Sequence, residues 1–419
     1  MAHPSERPGS RILRLLAALE LWLVACGVAV SIAFPSVLPF AVLIGVLFWL
    51  VRWRSLGRIS LRTPVDGSIL VLGAMLGIST LLNTHTPETI PQVSRLLTGF
   101  ILFYAVVNRA QHRSDIRWLT VGLVVLAFLL SIYALLGLSL TIDRVADLLP
   151  AMLKPFVTGM VEAVNPNVLA GNLAILFPIP VAVLLYWKGR HVRATRLFAV
   201  VSWLSVTALL VFTESRGAWL ASLIAFAALV WMRWKWGWVS VMVGMLIVGV
   251  ALISLDFTQV IGQTTSQGML AGFENRFGIW QRALLIGKAF AFSGIGIGNF
   301  GRVADSLYPF FLVHPGSVTH THNLYLQVLV DLGVPGLAAW LSLLFLVLFM
   351  SWKLYRRGKR TADDLLHGIG AGFFCSQLAL IVHGLIDSIS WTVARPAPIV
   401  WAIWGVMVSA YILGEKSKV

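Results

Sequence analysis

Charge is what this chain has least of. Only 12% of its 419 residues are Asp, Glu, Lys or Arg, against roughly 25% in a soluble domain. So few charges cannot solvate a surface of this size, which excludes a water-soluble globular protein. Cysteine is scarcer still. The two that occur, Cys26 and Cys375, both lie inside apolar runs, which excludes a disulfide framework and a cysteine zinc site. A phosphate-cradling Gly-Lys-Ser/Thr loop is missing as well, which argues against ATP hydrolysis.

What is present is apolar length. Runs fall near 15–34, 37–51, 67–83, 91–107, 118–139, 168–187, 197–213, 217–232, 237–255, 324–350, 365–389 and 397–414. A hydrocarbon core about 30 Å thick needs roughly 20 such residues per helix. The expected fold class is therefore all-α, a polytopic membrane protein of about twelve transmembrane helices. Three parts follow: helices 1–9 over 1–255, a large loop with interfacial helices over 256–322, and helices 10–12 over 323–419. The first run is long and lacks a small-residue cleavage site, so it reads as a retained helix. Asp331 to Gly336 interrupts the 324–350 run, and Pro335 there predicts a short helix followed by a spanning one.

The net charge of +15 is topological rather than a nucleic-acid footprint. Every second connection is basic, and those connections plus the termini hold 23 of the 32 Lys and Arg. The positive-inside rule then puts both termini in the cytoplasm. Nine cations are left over: Arg95, Arg144, Lys154, Arg216, Arg276, Arg282, Lys288, Arg302 and Arg395. They fall at or beyond the outer face, which also carries the two longest loops, about 140–167 and 256–322. Chemistry is expected there, on an already activated substrate.

Four constellations stand out. In Thr213-Glu214-Ser215-Arg216-Gly217 the arginine joins two apolar runs with almost no spacer. An arginine that close to hydrocarbon is costly without a partner or a role; a snorkelling arginine paired with Glu214 is the plainer alternative. Residues 276–290 read as a helix lying along the membrane, with Trp280, Leu284 and Gly287 on one stripe and Arg276 opening it. Arg282 and Lys288 on it suit lipid headgroups. Gly294 to Gly301 resembles a dinucleotide loop only superficially, because no strand precedes it; it reads as a tight turn returning the chain to the membrane. His314, His320 and His322 end the loop. His-x-His without a nearby acid or cysteine is weak as a zinc site, whereas one imidazole held at a helix start suits a general base. His383 and Asp387, one turn apart in the eleventh run, read as a polar packing pair or part of a cavity wall.

Together these segments resemble a known family. Ser215-Arg216-Gly-Ala-Trp219, Asn275-Arg276-x-x-x-Trp280, Gly294-x-Gly-x-Gly-x-Phe300, His322-Asn323-x-Tyr325-Leu326 and Gly333-Val-Pro-Gly336 occur in the order of the O-antigen ligase and polymerase superfamily. The resemblance spans mainly 205–340. The size, the twelve runs and the single large outer loop are closest to the ligases.

That resemblance implies a GT-C-like, lipid-phosphate-dependent membrane glycosyltransferase in the inner membrane of a Gram-negative bacterium, its site facing the periplasm. The donor partner would be O-antigen on undecaprenyl diphosphate and the acceptor lipid A–core. It implies His322 as the catalytic base and Arg216 and Arg276 as the diphosphate-binding arginines. Arg282, His320 and Asn323 are candidate supporting residues; no metal, cofactor or nucleic acid is expected. Within the superfamily a polymerase or a protein O-oligosaccharyltransferase would use the same donor. A lipid-linked glycan transporter is the rival from another class, and it predicts functional charges deep in several helices.

Overall fold

Apolar helices cross the molecule back and forth, and polar residues gather at their two ends. The computed structural model describes residues 8–33, 37–83, 87, 89–139, 165–234, 236, 237, 239, 242, 270–309, 318–388, 391 and 398–416. Among these residues the fold is entirely helical. Nine helices are long and apolar enough to cross a membrane, and two shorter apolar stretches, Ala18–Ser31 and Asp66–Leu82, accompany them. The chain is thus a multi-pass membrane protein. The expected helix over 237–255 falls largely outside the described residues.

The helices that matter below are α1 (Pro8–Ala33), α2 (Leu38–Leu56), α3 (Asp66–Leu82), α4 (Thr89–Arg109), α5 (Arg113–Leu138), α6 (Pro166–Leu176) and α7 (Pro178–Tyr186). They continue as α8 (Arg193–Phe212), α9 (Arg216–Arg233), α10 (Leu270–Ala289), α11 (Phe300–Leu307), α12 (Leu324–Arg360), α13 (Asp364–Gly384) and α14 (Ile399–Lys416). The 168–187 run is two helices rather than one. Prolines 178 and 180 remove backbone donors, so the chain re-starts at Pro178 while still completing one crossing.

Helix α13 is the hub. It packs on α12, α9, α7 and α6, and α12 in turn lies against α3 and α14. Gly370 sits where a side chain would strike the backbone of Tyr355, so only glycine permits the close α12–α13 approach. Trp340, Trp401 and Trp404 fill the centre with ring centroids 5.0–6.1 Å apart, and Trp404 Nε1 donates to Gln377 Oε1 at 2.8 Å. Trp404 thereby combines large apolar area with a satisfied polar tip.

The expected break in the 324–350 run is present at Gly333 (φ 70°, ψ −174°). This conformation is close to glycine-only. The Gly294–Gly298 turn docks into the break: Ile295 N donates to Val330 O (2.8 Å), Gly296 N to Asp331 O (3.3 Å) and Val334 N to Ala291 O (2.7 Å). The glycine-rich segment is therefore a backbone clasp between the outer loop and α12. Gly333→Ala should lower the thermal midpoint sharply, because it adds backbone strain of roughly 1–3 kcal/mol and a clash with Phe292 O. An unchanged midpoint in detergent would show that the clasp is dispensable.

Ion pairs draw the basic connections to one end. Arg113 pairs with Asp363, Lys188 with Asp364 and Arg357 with Glu415. The opposite end carries His322 and the α13 C-terminus. Several cations read as connection residues lie within the ends of helices, Arg54 of α2, Arg109 of α4 and Lys353 of α12 among them, and two cations differ from the sequence reading by being buried. Arg52, expected in a connection, lies inside α2, buried and paired with Glu20 of α1. Arg95, expected at or beyond the outer face, is buried within α4.

Candidate functional site

The site is built around the turn 319–323, which three elements hold. From α10, Trp280 Nε1 donates to Thr321 O (3.0 Å). From α12, Gln327 Oε1 accepts from Thr321 N (2.9 Å), and Thr321 Oγ1 donates to Asn323 O (2.7 Å). Asn323 caps α12, its Oδ1 accepting from Tyr325 N and Leu326 N, while its Nδ2 donates to Leu385 O (3.0 Å). That last bond ties the start of α12 to the turn after α13. His322, between these anchors, has φ 49°. A left-handed non-glycine residue is uncommon, and such strain persists where the surroundings over-determine it.

The amide of Gln327 is itself held in one orientation. Its Nε2 donates to Asp331 Oδ1 (3.0 Å), and Trp391 Nε1 donates to Asp331 Oδ2 (2.9 Å). The wholly buried Asp331 therefore leaves only the Gln327 carbonyl free to face Thr321. Polar residues four apart in an apolar run were the available signal for this pair.

Asp387 is the residue the sequence reading undervalued. It does not lie within a helix, since α13 ends at Gly384 and leaves it in the following turn. There its Oδ1 is 3.8 Å from His320 Nε2 and its Oδ2 is 3.9 Å from His322 Nδ1. The two imidazoles face each other with centroids 4.0 Å apart. His383 is buried one turn before Asp387, against Gly171 of α6.

Burial opposes ionisation of Asp387, but the neighbouring His322, His320 and His383 outweigh it and hold its carboxyl below the usual carboxylate value. His320 is pushed down to about 4 by burial, by His322 and by Arg276, against the pull of Asp387. The folded form therefore resists protonating His320. Its contribution to stability is complete above the ordinary histidine value of about 6.5 and is lost as pH falls towards 4. Thermal midpoints of wild type and His320→Asn should converge as pH drops through that window; parallel curves would contradict the assignment.

Arg276 is half-buried on α10, close enough to act electrostatically on His320, and has no ion pair among the described residues. Arg216 begins α9 and is exposed. The next residue, Gly217, lies against Ile386, with an added Cβ 3.3 Å from its Cγ2, so α9 starts beside the Asp387 turn. Glu214 (φ 53°) turns the chain sharply before it, and Trp219 Nε1 fastens the turn by donating to Leu210 O (2.6 Å). Among the described residues Arg216 and Glu214 form no ion pair, unlike the snorkelling alternative.

Arg282 goes elsewhere. Its guanidinium donates to Gly278 O, Tyr308 O and Pro309 O at 2.9–3.1 Å, closing the α10–α11 loop. The inner stripe of α10 is Ile279, Ala283 and Ile286, packed with Phe300, Ala304 and Val330; Leu284, expected on that stripe, is exposed. His314 falls outside the described residues.

Residues 200–341 match the profile of the O-antigen ligase family. Over that stretch, about a third of its length, the chain is similar to the O-antigen ligase family. Arg216, Arg276, His320 and His322 all fall within this stretch, while Asp387 lies beyond its end. No curated protein matches the chain significantly. The match supports a ligase- or polymerase-type function.

One further use of the cluster is chemically open. His320, His322 and Asp387 each offer one ligand atom, all within 4.8 Å of one another. Zinc sites take such donors at about 2.0–2.2 Å, normally with a fourth ligand. Rotation of these side chains would be needed to reach that spacing.

Proposed function

We propose that this protein is an O-antigen ligase of the Gram-negative inner membrane, with cytoplasmic termini and a periplasmic site. It would transfer a glycan from undecaprenyl diphosphate to a sugar hydroxyl of lipid A–core. The observation that carries the reading is His322, strained and set in a triply anchored turn inside the family-matched segment, with its Nδ1 3.9 Å from an Asp387 carboxylate oxygen.

The chemistry follows from that orientation. With Nδ1 towards Asp387, the other ring nitrogen, Nε2, takes the proton of the acceptor hydroxyl as its oxygen bonds to the anomeric carbon. Asp387 orients the ring and stabilises the imidazolium, the role a carboxylate plays beside a histidine base. The anomeric C–O bond breaks towards the diphosphate, which leaves on undecaprenol, and direct displacement inverts the anomeric centre. Arg216 and Arg276 bind the diphosphate oxygens, where guanidinium forks meet developing charge. The glycosyl diphosphate bond supplies the energy, so no ATP is required. His320, kept neutral, packs beside the base without competing for its proton.

In this scheme no metal takes part. Transfer by the purified protein should be retained in excess chelator. Loss that zinc restores would reassign His320, His322 and Asp387 as ion ligands and remove His322 as the base.

A further inference from the structure

At the basic end of the bundle, away from the histidine turn, a cavity of about 140 Å³ opens between α2, the end of α4 and the start of α5. Arg52, Arg58, Ser60, Asn108, Arg109 and Asp115 line it. Arg52 and Asn108 are each only 6% exposed. Arg52 gives Nη2 to Glu20, but its buried Nε has no hydrogen-bond partner. Asn108 Oδ1 accepts from Ser60 Oγ (3.0 Å) and Leu61 N (3.2 Å), and its side-chain amide is directed at the Glu20 carboxylate. Arg109 pairs with Asp115 at 2.6 Å. Arg58 is exposed and makes no ion pair among the described residues.

A buried donor without an acceptor, here Arg52 Nε, is costly and calls for an occupant. Water could satisfy it, but leaves the charge of Arg58 unpaired. The wall carries three guanidiniums and one carboxylate, and Glu20 behind Arg52 adds only a second acid. Across Leu61 and Gln111 lies a neighbouring cavity of about 130 Å³, lined by Arg62 and Lys416 with no acidic residue. Both cavities sit at the helix ends, the depth at which lipid headgroups lie. Guanidiniums grip phosphate oxygens bidentately, and basic pockets between membrane helices suit anionic headgroups.

We propose that these adjoining cavities form a phosphate-binding site for the headgroup of an anionic membrane lipid, bracing α1 and α2 against α4. The site is separate from the proposed transferase chemistry and does not depend on it.

The test is thermal unfolding of the delipidated, full-length protein in detergent, titrated with phosphatidylglycerol, phosphatidylethanolamine or inorganic phosphate. Phosphatidylglycerol should raise the midpoint by several degrees and phosphatidylethanolamine should not. The double variant Arg58→Gln/Arg62→Gln should lose most of that rise with its lipid-free midpoint unchanged, because both side chains are exposed. An equal rise with inorganic phosphate alone would keep the phosphate site but assign it to a soluble anion. No rise with either anion, an equal rise with phosphatidylethanolamine, or a full rise in the double variant would overturn the proposal.

Discussion

His322→Ala should lower glycan transfer by about 10²–10⁴-fold, the usual contribution of a general base, while expression and donor binding persist. The side chain is only partly buried, so its removal leaves most of the packing intact. The anchors of the turn belong to Trp280, Gln327 and Asn323, which are untouched. Asp387→Asn keeps the shape and removes the charge, and should cost less than His322→Ala. The double variant should be no slower than His322→Ala alone, because residues that act as a unit are non-additive. Transfer at the wild-type rate by His322→Ala would remove the base from the scheme, and additive losses would separate the two residues.

The second large effect is expected from the arginines. Arg216→Lys and Arg276→Lys keep the charge and lose the fork. A hydrogen bond to a charged group contributes about 1.5–3 kcal/mol, so each variant should lose roughly 10- to 100-fold in kcat/KM. Arg282→Lys is the control. Its guanidinium is committed to backbone carbonyls, so it should lower the thermal midpoint with little change in kcat. Full activity in both Arg216→Lys and Arg276→Lys would return these residues to headgroup contact.

Much of this is legible in the amino-acid sequence. Apolar run length set the helical, membrane-crossing fold, and the basic connections do gather at one end. A break in α12 was expected from Pro335, and the structure places it two residues earlier, at Gly333. Arg216 at a helix start and His322 before another could be placed because apolar runs begin directly after them. What escaped the sequence depends on packing between distant segments. Asp387 follows His322 by more than sixty residues and meets it only because Asn323 reaches Leu385 across the α12–α13 pair. Apolar residues continue past Gly384, so hydropathy extended α13 over Asp387 and hid the turn that frees its carboxylate. Arg52 was read as a loop cation because run length ends where charge begins, whereas a helix can carry a cation inward when a partner such as Glu20 waits there.

The most direct test of the account is reconstituted transfer. Purified protein in liposomes is given a glycan on undecaprenyl diphosphate and purified lipid A–core, and the products are resolved. The account predicts glycosylated lipid A–core with inverted anomeric configuration and one undecaprenyl diphosphate released per transfer, in wild type but not in His322→Ala. A product joined instead to a second lipid-linked glycan would make the protein a polymerase. Transfer that proceeds equally without His322 would contradict the mechanism at its centre.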